Sequence, residues 1–173
     1  PSNGSAGPVA ALLSHFRETP AVDREQGTVD FLLTAAAIGG LLRSSGLVRA
    51  GCQSEVGVAA AMAAAGFAAA QGGTDERVLV AAELALEPHL GLACDPEGAR
   101  IQQPCIERNA VAADRAVTAA QSALGHPGPR HSLDVLTRAM VQRGRRIAEA
   151  HKQASLWGSP VNIADSWRQG WRL

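Results

Sequence analysis

Apolar residues recur at helical spacing through most of the chain, and alternating apolar–polar runs of the strand type are scarce. Val9, Leu12, Leu13 and Phe16 form the stripe of a first predicted helix over about 7–17. A second is predicted over about 23–43, with Asp23 as N-cap and Gln26 three residues later in a capping-box pattern. Val29, Leu32, Leu33, Ala36 and Leu41 are its expected apolar face. Gly39-Gly40 is expected to loosen its end and Ser44-Ser45-Gly46 to stop it. Residues 53–71 read as an alanine-rich helix closed by Gly72-Gly73. Thr74 then caps a fourth helix, with Asp75 and Glu76 in its first turn, which runs to about Glu87, where Pro88 ends regular hydrogen bonding. After a long loop over 89–104, helices are predicted at about 105–124 and 132–151, the second capped by Ser132 or its neighbour. Gly125-His126-Pro127-Gly128-Pro129 is the turn between them, and the tail 152–173, which holds Trp157, Trp167 and Trp171, reads as irregular. The pattern predicts an all-α fold: a compact, alanine-rich bundle of about six helices with a long cysteine-bearing loop. No repeat with a period of about 20–50 residues is present, so a solenoid is not expected.

Composition narrows the functional classes. A length of 173 residues suits one domain. The formal net charge is zero, which removes the electrostatic case for nucleic acid or an anionic membrane surface as partner. Aromatic residues make up only 3% and tyrosine is absent, so the helices are expected to approach closely on small residues. The apolar segments 29–42 and 56–70 are too short, or too rich in glycine and alanine, to read as membrane spans. An odd number of cysteines disfavours a disulfide framework and no secretory signal opens the chain, so a cytoplasmic location is expected.

The candidate chemistry lies in Cys52, Cys94 and Cys105, the three cysteines of the chain. Their intervals are long and unlike the CxxC steps of zinc fingers or ferredoxins, and spacing alone favours inert buried thiols. Their settings point the other way. Cys94-Asp95-Pro96 and Pro104-Cys105 flank one loop, across which two thiols can face each other. Cys52 stands at the start of a predicted helix, where the N-terminal dipole favours a thiolate. Three thiolates cannot fill a tetrahedral zinc site, but they can hold an iron–sulfur cluster with one iron left open.

Three segments then carry a specific resemblance: Gly51-Cys52-Gln53-Ser54-Glu55-Val56-Gly57-Val58-Ala59, Gly91-Leu92-Ala93-Cys94-Asp95-Pro96, and Pro104-Cys105-Ile106-Glu107-Arg108-Asn109-Ala110. Together they resemble the iron–sulfur-dependent L-serine dehydratases, also called L-serine ammonia-lyases. Pro1-Ser2-Asn3-Gly4-Ser5-Ala6-Gly7 is similar to that family's Pro-Thr-Asn-Gly-Ala-Ala-Gly loop. The resemblance covers nearly all of residues 1–173, as the later part of the family's α chain or α domain, so an N-terminal portion is expected to be lacking. It implies a lyase that converts L-serine to pyruvate and ammonia, with a 4Fe-4S cluster held by Cys52, Cys94 and Cys105 and its open iron acting on the substrate hydroxyl. Asn3, Gly4 and Ser5 are the candidate grip on the substrate carboxylate. The implied partners are L-serine and a β domain or β chain of the same enzyme, within a homodimer, with neither nucleic acid nor membrane.

The chain also departs from the family pattern. The family's Asn-Ala-Ser-Ile-Ser-Gly-Ala-Glu stretch is represented by the shorter Ser44-Ser45-Gly46-Leu47-Val48-Arg49-Ala50. Its Glu-Thr-Ser-Arg-Gly-Gly segment reads Gln153-Ala154-Ser155-Leu156-Trp157-Gly158, and a terminal cysteine found in some members corresponds to Ser166. His89 is a candidate base, although the family histidine of this stretch falls one place earlier, at Pro88; the identity of the base is left open. Glu55, Asp95, Glu107 and Arg108 are expected to form solvent-facing salt bridges, His126 and His131 to be solvated beside a turn, and His15 and His151 to be surface positions on helices. These departures keep an alternative in view: a non-catalytic cluster-binding or helical interaction module, with the tryptophan-bearing tail as its contact surface.

Overall fold

The structure, a computed structural model, describes residues 3–20, 23–47, 52–92, 103–125 and 132–156. Among these residues the chain forms six α-helices and no strand, in keeping with the predicted all-α bundle. They are α1 Gly7–Glu18, α2 Arg24–Ser44, α3 Cys52–Ala70, α4 Asp75–Leu86, α5 Gln103–Gly125 and α6 Leu133–Leu156. Short 3-10 turns, Asn3–Ser5 and Glu87–His89, lie before α1 and after α4. No helix among the described residues is long and apolar enough to cross a membrane.

Local chemistry explains where the helices start and stop. Asp23 Oδ1 accepts from the Gln26 N–H at 2.9 Å and so caps α2. The reciprocal half of the capping box gives way to a competing contact: Gln26 Nε2 donates to Asp30 Oδ1, one turn further on, at 2.9 Å. Gly39-Gly40 does not loosen α2, which runs unbroken to Ser44. Gly72, at φ 78°, turns the chain out of α3 in a conformation that side chains resist, and Thr74 caps α4. Helix α6 begins after Ser132 and extends to Leu156, past the predicted end at 151, so residues 152–156 are helical where irregular tail was expected. The turn at 126–131 and the tryptophan-bearing residues 157–173 lie outside the described residues.

Helix α3 is the axis of the bundle. It holds nine alanines between Ala59 and Ala70, and from Val56 to Ala68 it is buried at every position except Val58, which is partly covered. A helix apolar on all sides must be surrounded, and α1, α2, α4 and α5 all pack against it. The low aromatic content has its counterpart here: alanine and glycine let the neighbouring backbones come close. Gly66 abuts α2 so tightly that a methyl group there would sit 2.8 Å from the Phe31 carbonyl oxygen.

The face that α2 buries differs from the expected one. Gly27, Phe31, Ala35, Ile38 and Leu42 are its buried face, with Phe31 packed against Gly66 of α3. Val29, Leu32, Leu33 and Leu41 are instead 47%, 48%, 66% and 58% exposed, and Ala36 is exposed with them. Apolar residues recur at helical spacing on both faces, and packing against α3 selects the one that sets Gly27 and Ala35 among Phe31, Ile38 and Leu42.

Side-chain contacts fix the helix directions. His15 and Phe16, late in α1, meet Phe67, late in α3, with ring centroids 5.5 and 6.5 Å away. A methyl at Gly73, just past α3, would lie 3.0 Å from Leu124 at the end of α5. At the other end Gly4 and Gly7 meet Asn109, early in α5, and the Asn3–Ser5 turn packs against α3, so α1, α3 and α5 run in the same sense. At about 1.5 Å per residue, Cys52 and Cys105 both stand roughly 30 Å back along their helices from the Gly73–Leu124 contact. Three helix N-termini thus gather at one end of the bundle.

Gly66→Ala is predicted to lower stability by about 1–3 kcal/mol, because the facing group is backbone and cannot turn aside. Gly40→Ala, at an exposed position with nothing within 4 Å, is predicted to be neutral or stabilising by up to ~1 kcal/mol. Urea denaturation of both variants checks the pair.

Candidate functional site

The end at which α1, α3 and α5 begin collects most of the residues singled out from sequence. Cys52 is the first residue of α3 and is only 2% exposed. Cys105 lies in the first turn of α5 and is partly buried. Neither is in a disulfide. The Asn3–Ser5 turn packs against both α3 and α5, and Ser5 is buried. Cys94, with Asp95 and Pro96, lies outside the described residues. Among the described residues, no three His, Cys, Asp or Glu side chains come together to hold a metal ion.

Two side chains that sequence reasoning passed over tie this end together. Gln53, wholly buried, uses both ends of its amide. Its Oε1 accepts from the Gly91 N–H at 2.8 Å, and its Nε2 donates to the Met140 carbonyl in α6, also at 2.8 Å. Its backbone N–H, one of the unpaired donors of the α3 N-terminus, donates to the Leu92 carbonyl at 3.1 Å. Leu92 is the last described residue before Cys94, so the chain leading to the second cysteine is bonded directly beside the first. Gly91 makes this possible with φ 87°, a left-handed conformation that turns its N–H inward to Gln53. The second is Asn109, one helical turn after Cys105. Its Nδ2 donates to the Cys105 carbonyl at 2.8 Å and the Gly4 carbonyl at 3.0 Å, joining α5 to the Asn3–Ser5 turn. The sequence signals for both were adjacency: Gln53 follows Cys52, and Asn109 stands at i+4 from Cys105, on the same helix face.

His89 packs against the same part of α3. A methyl at Gly57 would lie 3.0 Å from its Cβ, so glycine there admits the imidazole. The ring is buried, with Nδ1 2.9 Å from the Ala85 carbonyl oxygen. An N–H at Nδ1 satisfies that oxygen and leaves the lone pair on Nε2. Burial pushes the imidazole below its usual pKa, a shift opposed by the Ala85 carbonyl and assisted by the positive charge of Arg115, so the ring is neutral at pH 7. Glu55 is exposed, as expected. His15 is exposed too, the expected surface position on a helix, and stacks on Phe67. A separate groove of about 850 Å³ between α2, α4 and α6, lined by Leu41, Leu79, Glu83, Leu133 and Arg138, contains none of the residues above.

Similarity to known proteins runs along almost the whole chain. Residues 1–158 match the model of the family described as serine dehydratase alpha chain. The chain belongs to that family. It is 45% identical over 171 residues to the L-serine dehydratase of Mycobacterium bovis, covering 95% of this chain. It is 42% identical to the L-serine dehydratase of Streptomyces coelicolor and 40% identical to L-serine dehydratase 1 of Escherichia coli, covering 95% and 94% of this chain. The chain spans 37% of the length of each of these relatives. In this serine dehydratase alpha segment, the convergent end has a definite electrical character. Three helix N-termini present backbone N–H groups and partial positive charge, a setting that favours anions. Cysteine sulfur donors are, in turn, the usual ligands of an iron–sulfur cluster. The donor types at this end fit such a group.

Gln53→Leu, which keeps the shape but not the hydrogen bonds, is predicted to destabilise the protein by roughly 2–4 kcal/mol, because it strands buried backbone groups. Chemical denaturation measures this directly; a loss under about 0.5 kcal/mol would contradict the clamp.

Proposed function

We propose that this chain is the α-type portion of an iron–sulfur L-serine dehydratase, a lyase that converts L-serine to pyruvate and ammonia. The observation that carries the reading is the convergence of Cys52, Cys105 and the Asn3–Ser5 turn at one end of the bundle, with Leu92 bonded beside Cys52. Cys52, Cys94 and Cys105 would hold a 4Fe-4S cluster, whose open iron supplies Lewis acidity toward the substrate hydroxyl when bound. The helix N-termini and the Asn3-Gly4-Ser5 segment favour the substrate carboxylate, as donors and as positive dipole ends. In the overall change, the α-proton and the β-hydroxyl leave as water to give an enamine. Its imine tautomer then takes up water and releases ammonia, leaving pyruvate. Gln53 and Asn109 position this end without themselves being cluster ligands in the proposal.

The partner in this reading is the β domain or β chain of the same enzyme. The exposed apolar row Val29, Leu32, Leu33 and Leu41 on α2 supports a packed interface of that kind, since such a row is costly to leave in water. The same row is the one observation in favour of a non-catalytic interaction module.

Pyruvate formation from L-serine by the full-length protein separates the readings. The account predicts activity in the anaerobically prepared wild type. Cys52→Ser, Cys94→Ser and Cys105→Ser should each lower it at least about a hundredfold with helical content retained, since even outer partners of metal ligands are worth about 10–100-fold. Unchanged activity in the three variants would overturn the ligand assignment, and an inactive wild type would favour the interaction module.

A further inference from the structure

Asn109 carries an acceptor with nothing to accept among the described residues. Its Nδ2 faces two carbonyl oxygens, those of Gly4 and Cys105, at 3.0 and 2.8 Å. Carbonyls only accept, so the amide is held with its nitrogen toward them and its oxygen away from them. That oxygen, Oδ1, is covered from solvent within a partly buried residue and has no hydrogen-bond partner among the described residues. Buried polar atoms are nearly always paired, by protein, water or ligand, and at a candidate site a ligand's donor is one that can meet the need. Beside it stands Gly7, the first residue of α1, where a methyl group would lie 3.7 Å from Oδ1. Glycine leaves that volume open.

The chemistry of the surroundings narrows the ligand. The starts of α1, α3 and α5 are the positive ends of their helix dipoles, which suit a carboxylate. Oδ1 is an acceptor and suits the opposite kind of group, an N–H donor carrying positive charge. An α-amino acid zwitterion carries both within a few bonds. We propose that Asn109 Oδ1 accepts a hydrogen bond from the ammonium group of the amino-acid substrate, and so selects amino acids over hydroxy acids of the same shape. The proposal rests on the dehydratase reading for the identity of the site, and adds to it a residue and the substrate group that residue recognises.

A matched ligand pair tests it. Isothermal titration calorimetry on the full-length protein compares L-alanine with propanoate, which differ only in the amino group and do not react. Wild type is expected to prefer L-alanine. Asn109→Ala is expected to erase at least about tenfold of that preference, as befits a hydrogen bond to a charged group, while propanoate binding changes less than about twofold. Equal weakening of both ligands, or an unchanged preference, overturns the proposal and leaves Asn109 as a clamp between Gly4 and Cys105. Asn109→Asp keeps an oxygen for the ammonium but loses both N–H donors, so it should retain the preference for L-alanine. A preference lost in Asn109→Asp overturns the proposal even if Asn109→Ala does not fold. Pyruvate formation from L-serine, measured in parallel, keeps the two readings apart. An active wild type with unchanged ligand preference in the variants refutes the role of Asn109 alone. An inactive wild type that still loses its L-alanine preference on mutation refutes the dehydratase reading alone, and binding of neither ligand refutes both.

Discussion

Gln53 occupies a position at which a polar side chain has no access to water, and both ends of its amide find backbone partners. One end takes the Gly91 N–H and the other gives to the Met140 carbonyl, while its own backbone N–H is met by Leu92. A buried amide with partners on three segments is worth keeping only in one arrangement, because any displacement leaves donors and acceptors unmet in a low-dielectric interior. It fixes the start of α3, the turn after α4 and the middle of α6 relative to one another. Cys52 is its neighbour on one side, and the chain toward Cys94 leaves from the residues it binds. The geometry of the proposed ligand set depends on that lock.

The lock operates because the helices around α3 are already close. Nine alanines between Ala59 and Ala70, with glycines at 57 and 66, give α3 a surface with little relief, on which α2 can approach to backbone contact. Such packing leaves few ways to slide, since shifts by fractions of a residue bring methyl groups onto carbonyl oxygens. Helices α1, α3 and α5 thus keep their shared direction, and their N-termini keep a common level. Partial positive charge from three helix ends is concentrated where the proposed cluster and the substrate carboxylate would both place negative charge.

Much of this is legible in the sequence, and the exceptions have physical causes. Helix existence and most boundaries followed from periodicity and from Asp23, Gly72, Thr74 and Pro88, whose effects are local. The buried face of α2 did not, because apolar residues recur at helical spacing on two of its faces and only contact with α3 decides between them. Cysteine context was readable through resemblance, whereas spacing alone pointed to inert thiols. Gln53 and Asn109 were present in the quoted segments but carried no periodicity or ligand chemistry of their own. Their importance comes from contacts with Met140 and Gly4, which are distant in sequence and visible only once the chain is folded.

The central claim is that the gathered helix starts hold one cluster with an iron open to substrate. Mössbauer spectroscopy with iron quantitation on the full-length protein, reconstituted anaerobically with iron and sulfide, addresses it most directly. The account predicts about four irons per chain, with one iron site whose signal shifts when L-serine is added while the others stay unchanged. Failure to retain iron, or a full cluster whose sites are all indifferent to L-serine, would contradict it.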